Sequence, residues 1–237
     1  MMQVNEIWIV RHGRAGVEGE YDCLTQQGFA QAKALGDYLR QMQIRFDAAF
    51  SGSLRRQQET LSTILEGLTE SPTDQIDVRE ALNEFSPRQV IRVAAKLRES
   101  NEEFRGVFDR WQNEWSDSVE TGKPLFFKVM RHFLEYWAFE PGEHGFQSWA
   151  ASVLEGFSAL PHHGRLLVVS SATPIALAAG AAFGMKPVES LKLLQPIYNS
   201  SITIVRRSDR GFESDVLEPV MFNAVPHLRD PSMLTLL

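Results

Sequence analysis

Two short runs constrain this chain most: Ile-Trp-Ile-Val at 7–10 and Leu-Leu-Val-Val at 166–169. Each is apolar at every position, the pattern of a strand covered on both faces in a parallel sheet. The first is followed by LTQQGFAQAKALGDYLRQM, with Leu35, Leu39 and Met42 at helical spacing and Thr25 placed to cap the helix. FDAAFS predicts a second strand ending near Ser51, and SLRRQQETLSTILEGL a second helix with Leu54, Leu61, Ile64 and Leu68 on its inner face. TPIALAAGAAFG predicts a helix capped by Thr173, with Pro174 in its first turn and Gly184 at its end. SITIVRR and FESDVLE read as later strands. This rhythm predicts an α/β fold with a largely parallel sheet.

Residues 86–141 break the rhythm and predict a helical insertion within a single domain of residues 1–237. Phe104, Phe108, Trp111 and Trp115 form one aromatic stripe, and Phe126, Met130, Phe133 and Trp137 a second, with Gly122 and Pro124 marking a turn between them. The stripes read as helix-packing faces; the alternative is an aromatic wall that grips a substrate.

The bulk numbers exclude some partners. With a formal charge of −6 there is no basic footprint for nucleic acid and no basic segment for an anionic membrane. No stretch has the length of a membrane-spanning helix, no signal peptide is visible, and a cytoplasmic protein is expected. The single cysteine, Cys23, cannot form an internal disulfide and reads as a small packed side chain.

Ligands of such sheets bind beyond the carboxyl ends of the strands, where Arg11 and His12 stand. A guanidinium fork fits phosphate oxygens, and an imidazole offers an unprotonated nitrogen near neutral pH. Gly13 allows a sharp turn or a close approach. At the second strand-to-helix junction, Arg55 and Arg56 sit at a positive helix end and call for a compensating anion.

VRHG after the first strand and FSGSLRRQQET after the second resemble the histidine phosphatase superfamily, which includes the phosphoglycerate mutases. The resemblance extends through YDCLTQQGFAQAKALGDYL, ALNEF and LLVVSSATPIAL, but not through the aromatic-rich middle. It implies a three-layer sandwich: a mostly parallel central sheet with helices on both faces. It also implies that His12 is the nucleophile that takes the phosphoryl group, that Arg11 and Arg56 grip its oxygens, and that Glu84 serves as acid and then base. Arg55 is left to point elsewhere, and Glu80 and Glu143 are weaker substitutes for Glu84.

The chain departs from the family pattern at Ser171, which stands where the family usually carries a second histidine; Ser171 and the following Ala172 are expected to bind the substrate. A neutral hydroxyl is the weaker partner for phosphoryl oxygens. Similar departures elsewhere in the superfamily, together with the shared Leu-Arg-Arg-Gln run and Asn199 to Ser201, mark a branch. None of His132, His144, His162, His163 or His227 is expected beside the phosphate, and no metal site or cofactor is expected. The implied activity is metal-independent hydrolysis of a phosphorylated small molecule or phosphoprotein; the aromatic stripes offer a face for a homodimer. The alternatives are a phosphate- or phosphoprotein-binding member with weakened catalysis, and a phosphoglycerate-type mutase.

Overall fold

The computed structural model describes residues 5–16, 22–70, 77–194, 197–208 and 216–236. The chain forms two compact units, Met1–Glu84 with Ser152–Leu237, and Phe85–Ala151. The first unit begins with β1 (Asn5–Arg11), α1 (Gln26–Gln41), β2 (Ala48–Ser51), α2 (Arg55–Gly67) and β3 (Asp77–Val78). The second holds α3 (Pro87–Ser100), α4 (Glu102–Asp117) and α5 (Val119–Trp137), and α6 (Phe146–Ser158) contributes residues to both. The first unit then resumes with β4 (Gly164–Ser170), α7 (Ala172–Ala182), α8 (Pro187–Ser190), β5 (Ile202–Arg207) and β6 (Leu217–Ala224).

The six strands form one mixed sheet in the order β3-β2-β4-β1-β5-β6. The pairs β3–β2, β2–β4 and β4–β1 are parallel, whereas β5 and β6 close one edge antiparallel. The two apolar runs of the sequence are β1 and β4, paired at the centre. Alternation along a strand sends successive side chains to opposite faces. On one face Val10, Ala49, Leu167, Val169, Ile202 and Ile204 pack with Leu35 and Leu39 of α1 and Leu61 and Ile64 of α2. The other face, which includes Ile7 and Ile9, is covered by α7, a helix buried from Thr173 to Gly180. This is the expected α/β arrangement with helices on both faces.

Local signals held where side-chain chemistry fixed them. Thr25 caps α1, its hydroxyl accepting from Gly28 N–H at 3.1 Å, and Gly184 follows α7 at φ +71°. Met42 lies past the end of α1, exposed. The last strand begins at Leu217; the earlier part of FESDVLE, residues 212–215, lies outside the described residues.

Within Phe85–Ala151 the two aromatic stripes pack on each other. Phe104, Phe108, Trp111 and Trp115 follow one another with ring centroids 5.4 to 5.9 Å apart, and Phe126 lies 5.6 Å from Trp115. Phe133, Trp137 and Phe146 form a second ring cluster with Phe85. The break between α4 and α5 falls at Ser118, in extended backbone, not at Gly122 and Pro124. Pro124 sits inside α5, where its missing N–H costs one helical hydrogen bond. Among the described residues no helix is long and apolar enough to cross a membrane.

Glu140 pins this unit. Arg92 of α3 grips its two oxygens at 2.5 and 2.6 Å, and Lys96 adds a contact at 2.8 Å. The Arg92 pair, then Lys96, holds the carboxyl down from 4.5 to about 2. A depressed carboxyl stabilises the fold fully above its unfolded value and ceases to do so as pH falls through its folded one. Glu140→Gln is expected to lower the unfolding free energy by about 1–3 kcal/mol at pH 7. The deficit shrinks as pH falls from 4.5 toward about 2. Urea titrations across pH check this; a pH-independent loss would contradict it.

Candidate active site

β1 delivers Arg11 and His12 to the carboxyl end of the sheet, with Arg11 opposite Ser170 of β4. The backbone there is clamped from two sides. His12 N–H donates to the Ser170 carbonyl at 3.0 Å, and Arg11 N–H to the Ser201 carbonyl at 3.1 Å. Asn199 Nδ2 donates to the His12 carbonyl at 3.1 Å, and Ser200 N–H to the Arg11 carbonyl at 3.0 Å. Ser200 adopts φ +57°, a left-handed conformation that costs energy in a non-glycine residue and aims its N–H at this turn. Asn199 to Ser201, noted in the sequence without a role, are thus the clamp.

Gly13 is required by a helix. A methyl group on it would lie 2.5 Å from the Gly28 carbonyl of α1, so the close approach is to the chain's own backbone. Its N–H donates to Thr60 Oγ1 at 3.0 Å, and that hydroxyl donates to the Arg56 carbonyl at 2.6 Å, tying the loop to the first turns of α2.

The His12 ring is buried, with Nδ1 2.8 Å from the Gly13 carbonyl. A carbonyl only accepts, so this contact assigns the proton to Nδ1 and leaves the Nε2 lone pair as the reactive one. Arg56 Nε donates to Nε2 at 3.1 Å. Burial first, then the charges of Arg56 and Arg11, holds the imidazole well below its ordinary value of 6.5. His12 is therefore neutral at physiological pH.

Both expected arginines are buried here. The Arg11 guanidinium donates to the Ile197 carbonyl, and to the Leu236 carbonyl at 2.8 Å, while its Nε has no partner among the described residues. Burial lowers it to about 10, the Glu84 charge opposing that shift and Arg56 adding to it. Arg56 also donates to Asp22 Oδ1 at 2.7 Å, and Asp22 Oδ2 accepts from Arg55 N–H at 2.9 Å. The anion that the start of α2 called for is thus Asp22, a residue the sequence reading left without a role in the site. Arg55 is exposed and pairs with Glu59 at 2.7 Å, away from His12.

Glu84 follows a single 3-10 turn (Glu80–Leu82) and accepts from Thr173 N–H at 3.1 Å. Its carboxylate thereby caps α7, at a position where the helix dipole favours negative charge. The helix starts at Ala172, two residues earlier than a Thr173 cap requires, and Ser171 holds the N-cap position without capping through its side chain. The Ser171 hydroxyl accepts instead from Gln57 Nε2 at 2.9 Å. Glu80 is exposed, and Glu143 is exposed in the other unit beside His144. His162 and His163 precede β4 at its amino end. His227 is buried with Nε2 2.8 Å from Ser200 Oγ, one residue behind the clamp. Among the described residues no three His, Cys, Asp or Glu side chains group as a metal ion would need.

Burial lowers His227 from 6.5 to about 4. Between these values the unfolded chain binds a proton that the folded one refuses, so stability falls as pH falls through this window. The full window amounts to about 3 kcal/mol. His227→Gln is expected to flatten the dependence of the urea midpoint on pH between 6.5 and about 4. An unchanged slope would contradict the assignment.

Comparison with known proteins follows this geometry. A 61-residue stretch is 43% identical to the 2,3-bisphosphoglycerate-dependent phosphoglycerate mutase of Mesorhizobium japonicum, covering 26% of this chain and 29% of that protein. The fold matches the phosphoserine phosphatase of Entamoeba histolytica solved with phosphoserine, at TM-score 0.56 and 16% identity over 94% of this chain and 98% of that one. It also matches the phosphoglycerate mutase of Bacillus anthracis, at TM-score 0.55 and 15% identity over 95% of each chain. The family model described as histidine phosphatase superfamily (branch 1) matches residues 7–218, and the chain belongs to that superfamily.

Proposed function

We propose that this protein is a metal-independent phosphomonoester hydrolase that works through a phosphohistidine on His12. The observation that supports this most is a neutral, buried imidazole whose Nε2 lone pair accepts from the buried Arg56 guanidinium, with the charge of the buried Arg11, its Nε unpartnered among the described residues, acting on the same ring. A buried donor without an acceptor calls for a reason, and here a ligand oxygen supplies one. A phosphoryl group fits: its oxygens take the Arg11 and Arg56 donors, and when Arg56 turns to them the lone pair of Nε2 is released.

In the first step Nε2 attacks phosphorus. The P–N bond forms, the ester P–O bond breaks, and the leaving oxygen takes the proton of Glu84. In the second step water attacks phosphorus, its proton passes to Glu84, the P–N bond breaks and inorganic phosphate leaves. Glu84 ends protonated, as it began. A phosphoryl dianion beside the carboxylate favours its protonated form when substrate is bound. Ser171 Oγ and the first amide of α7, at Ala172, complete the hold on the oxygens.

The substrate class is a phosphorylated small molecule or phosphoprotein. The stretch shared with a phosphoglycerate mutase supports a second reading, transfer of the phosphoryl group back to a sugar-acid acceptor. The neutral Ser171 supports a third, binding without turnover. With an aryl phosphate and chelator present, hydrolysis is expected, falling by about 10³-fold or more in His12→Ala and about 10²-fold in Glu84→Gln. Phosphate release equal to product supports the hydrolase; transfer to 3-phosphoglycerate instead would make it a mutase, and binding of phosphate with no His12-dependent turnover would make it a binder.

A further inference from the structure

Ser171 follows Ser170, whose carbonyl holds the His12 amide, so it stands at the same strand end as His12, and its hydroxyl partner Gln57 is the neighbour of Arg56, which donates to the His12 ring. The Oγ atom accepts from Gln57 Nε2 at 2.9 Å, and among the described residues nothing receives its proton. Gln57 is fully buried in the first turn of α2. Its amide orientation follows from its other partners: Nε2 donates to the Leu82 carbonyl at 3.2 Å and Oε1 accepts from Leu54 N–H at 3.3 Å. A flipped amide would set oxygen against a carbonyl and NH₂ against an N–H, so Gln57 has to be a donor toward Ser171. Space is reserved for it: a methyl group on Gly52 would lie 2.0 Å from Gln57 Oε1.

A hydroxyl that accepts one hydrogen bond has its own proton left to give. We infer that Gln57 is a positioning residue, which holds Ser171 Oγ as an acceptor and so aims the Ser171 proton at an oxygen of the phosphoryl group on His12. Ser171 and Gln57 together then serve where a second histidine would otherwise donate. The inference rests on the phosphohistidine reading of the site.

Gln57→Met keeps the length of the side chain and removes both amide hydrogens. It is expected to lower kcat on an aryl phosphate about tenfold, the worth of one neutral hydrogen bond, with KM little changed. Ser171→Ala is expected to match it, and the double variant to lose no more than either single one. Gln57→Glu, the closest isostere, extends the test should Gln57→Met fail to fold. The one hydrogen of its protonated carboxyl goes to Ser171, the Leu82 carbonyl keeping the Ser170 hydroxyl as donor, whereas its carboxylate draws the Ser171 proton to itself. This variant therefore gains activity relative to wild type as pH falls, and loses that pH dependence in a Ser171→Ala background. Additive losses in the double variant, or a Gln57→Glu profile parallel to wild type, would overturn the inference while His12-dependent turnover of the wild type keeps the underlying reading intact. Absence of any His12-dependent turnover would overturn both.

Discussion

Two buried guanidinium groups against one neutral imidazole set the terms for everything near them. Burying a cation is costly unless it is paired or hydrogen-bonded. Arg56 meets that cost with Asp22 and His12, and Arg11 with the Ile197 and Leu236 carbonyls and the nearby charge of Glu84. Burial first, and then the same two charges, keep His12 unprotonated, which is the state a nucleophile needs. In the proposed reaction structure and chemistry are one constraint: the groups that would stabilise an incoming phosphoryl group also prepare the atom that would attack it.

That constraint explains the scaffold around it. A strand end alone leaves a backbone free to move, yet the carbonyls of Arg11 and His12 are both held by Asn199 and Ser200. The strained φ of Ser200 is tolerated because its N–H is committed to them and its hydroxyl to His227. From α2 come Arg56, Gln57 and Thr60, each turned toward a different part of the site. The Glu84 carboxylate caps α7, so the proposed acid–base group and the amide end of that helix are tied by one contact. Two carboxylates thus face two guanidinium groups, and a neutral serine adds no further charge. The pull on a phosphate dianion then depends on aimed donors more than on net charge.

Much of this was legible before any coordinates. The continuous apolar runs of β1 and β4 announced a parallel sheet covered on both faces, and the residues after the first and second strands placed Arg11, His12 and the Arg55–Arg56 pair at one end of it; the resemblance then picked out Arg56 and Ser171. The resemblance supplied Glu84, which by residue type alone reads as a surface carboxylate. What stayed hidden depends on contacts between segments far apart in the chain. Asp22 carries no periodicity, and its pairing with Arg56 needs the fold to bring a loop onto α2. Gln57 sits within a polar run and carries no apolar signal, yet it is buried with its amide on the Leu82 carbonyl and Ser171. Gly122 and Pro124 misled for the opposite reason: local punctuation gave way to the packing of two aromatic helices, which placed the break at Ser118.

The central claim is a covalent bond between phosphorus and His12 Nε2. Mixing the enzyme with an aryl phosphate, quenching in alkali within one turnover and mapping the peptides by mass spectrometry tests it most directly. The account predicts an alkali-stable, acid-labile phosphoryl group on His12 that forms and decays at rates matching turnover. Turnover that proceeds with no phosphorylated His12 at any time, or with the group on another residue, would contradict it.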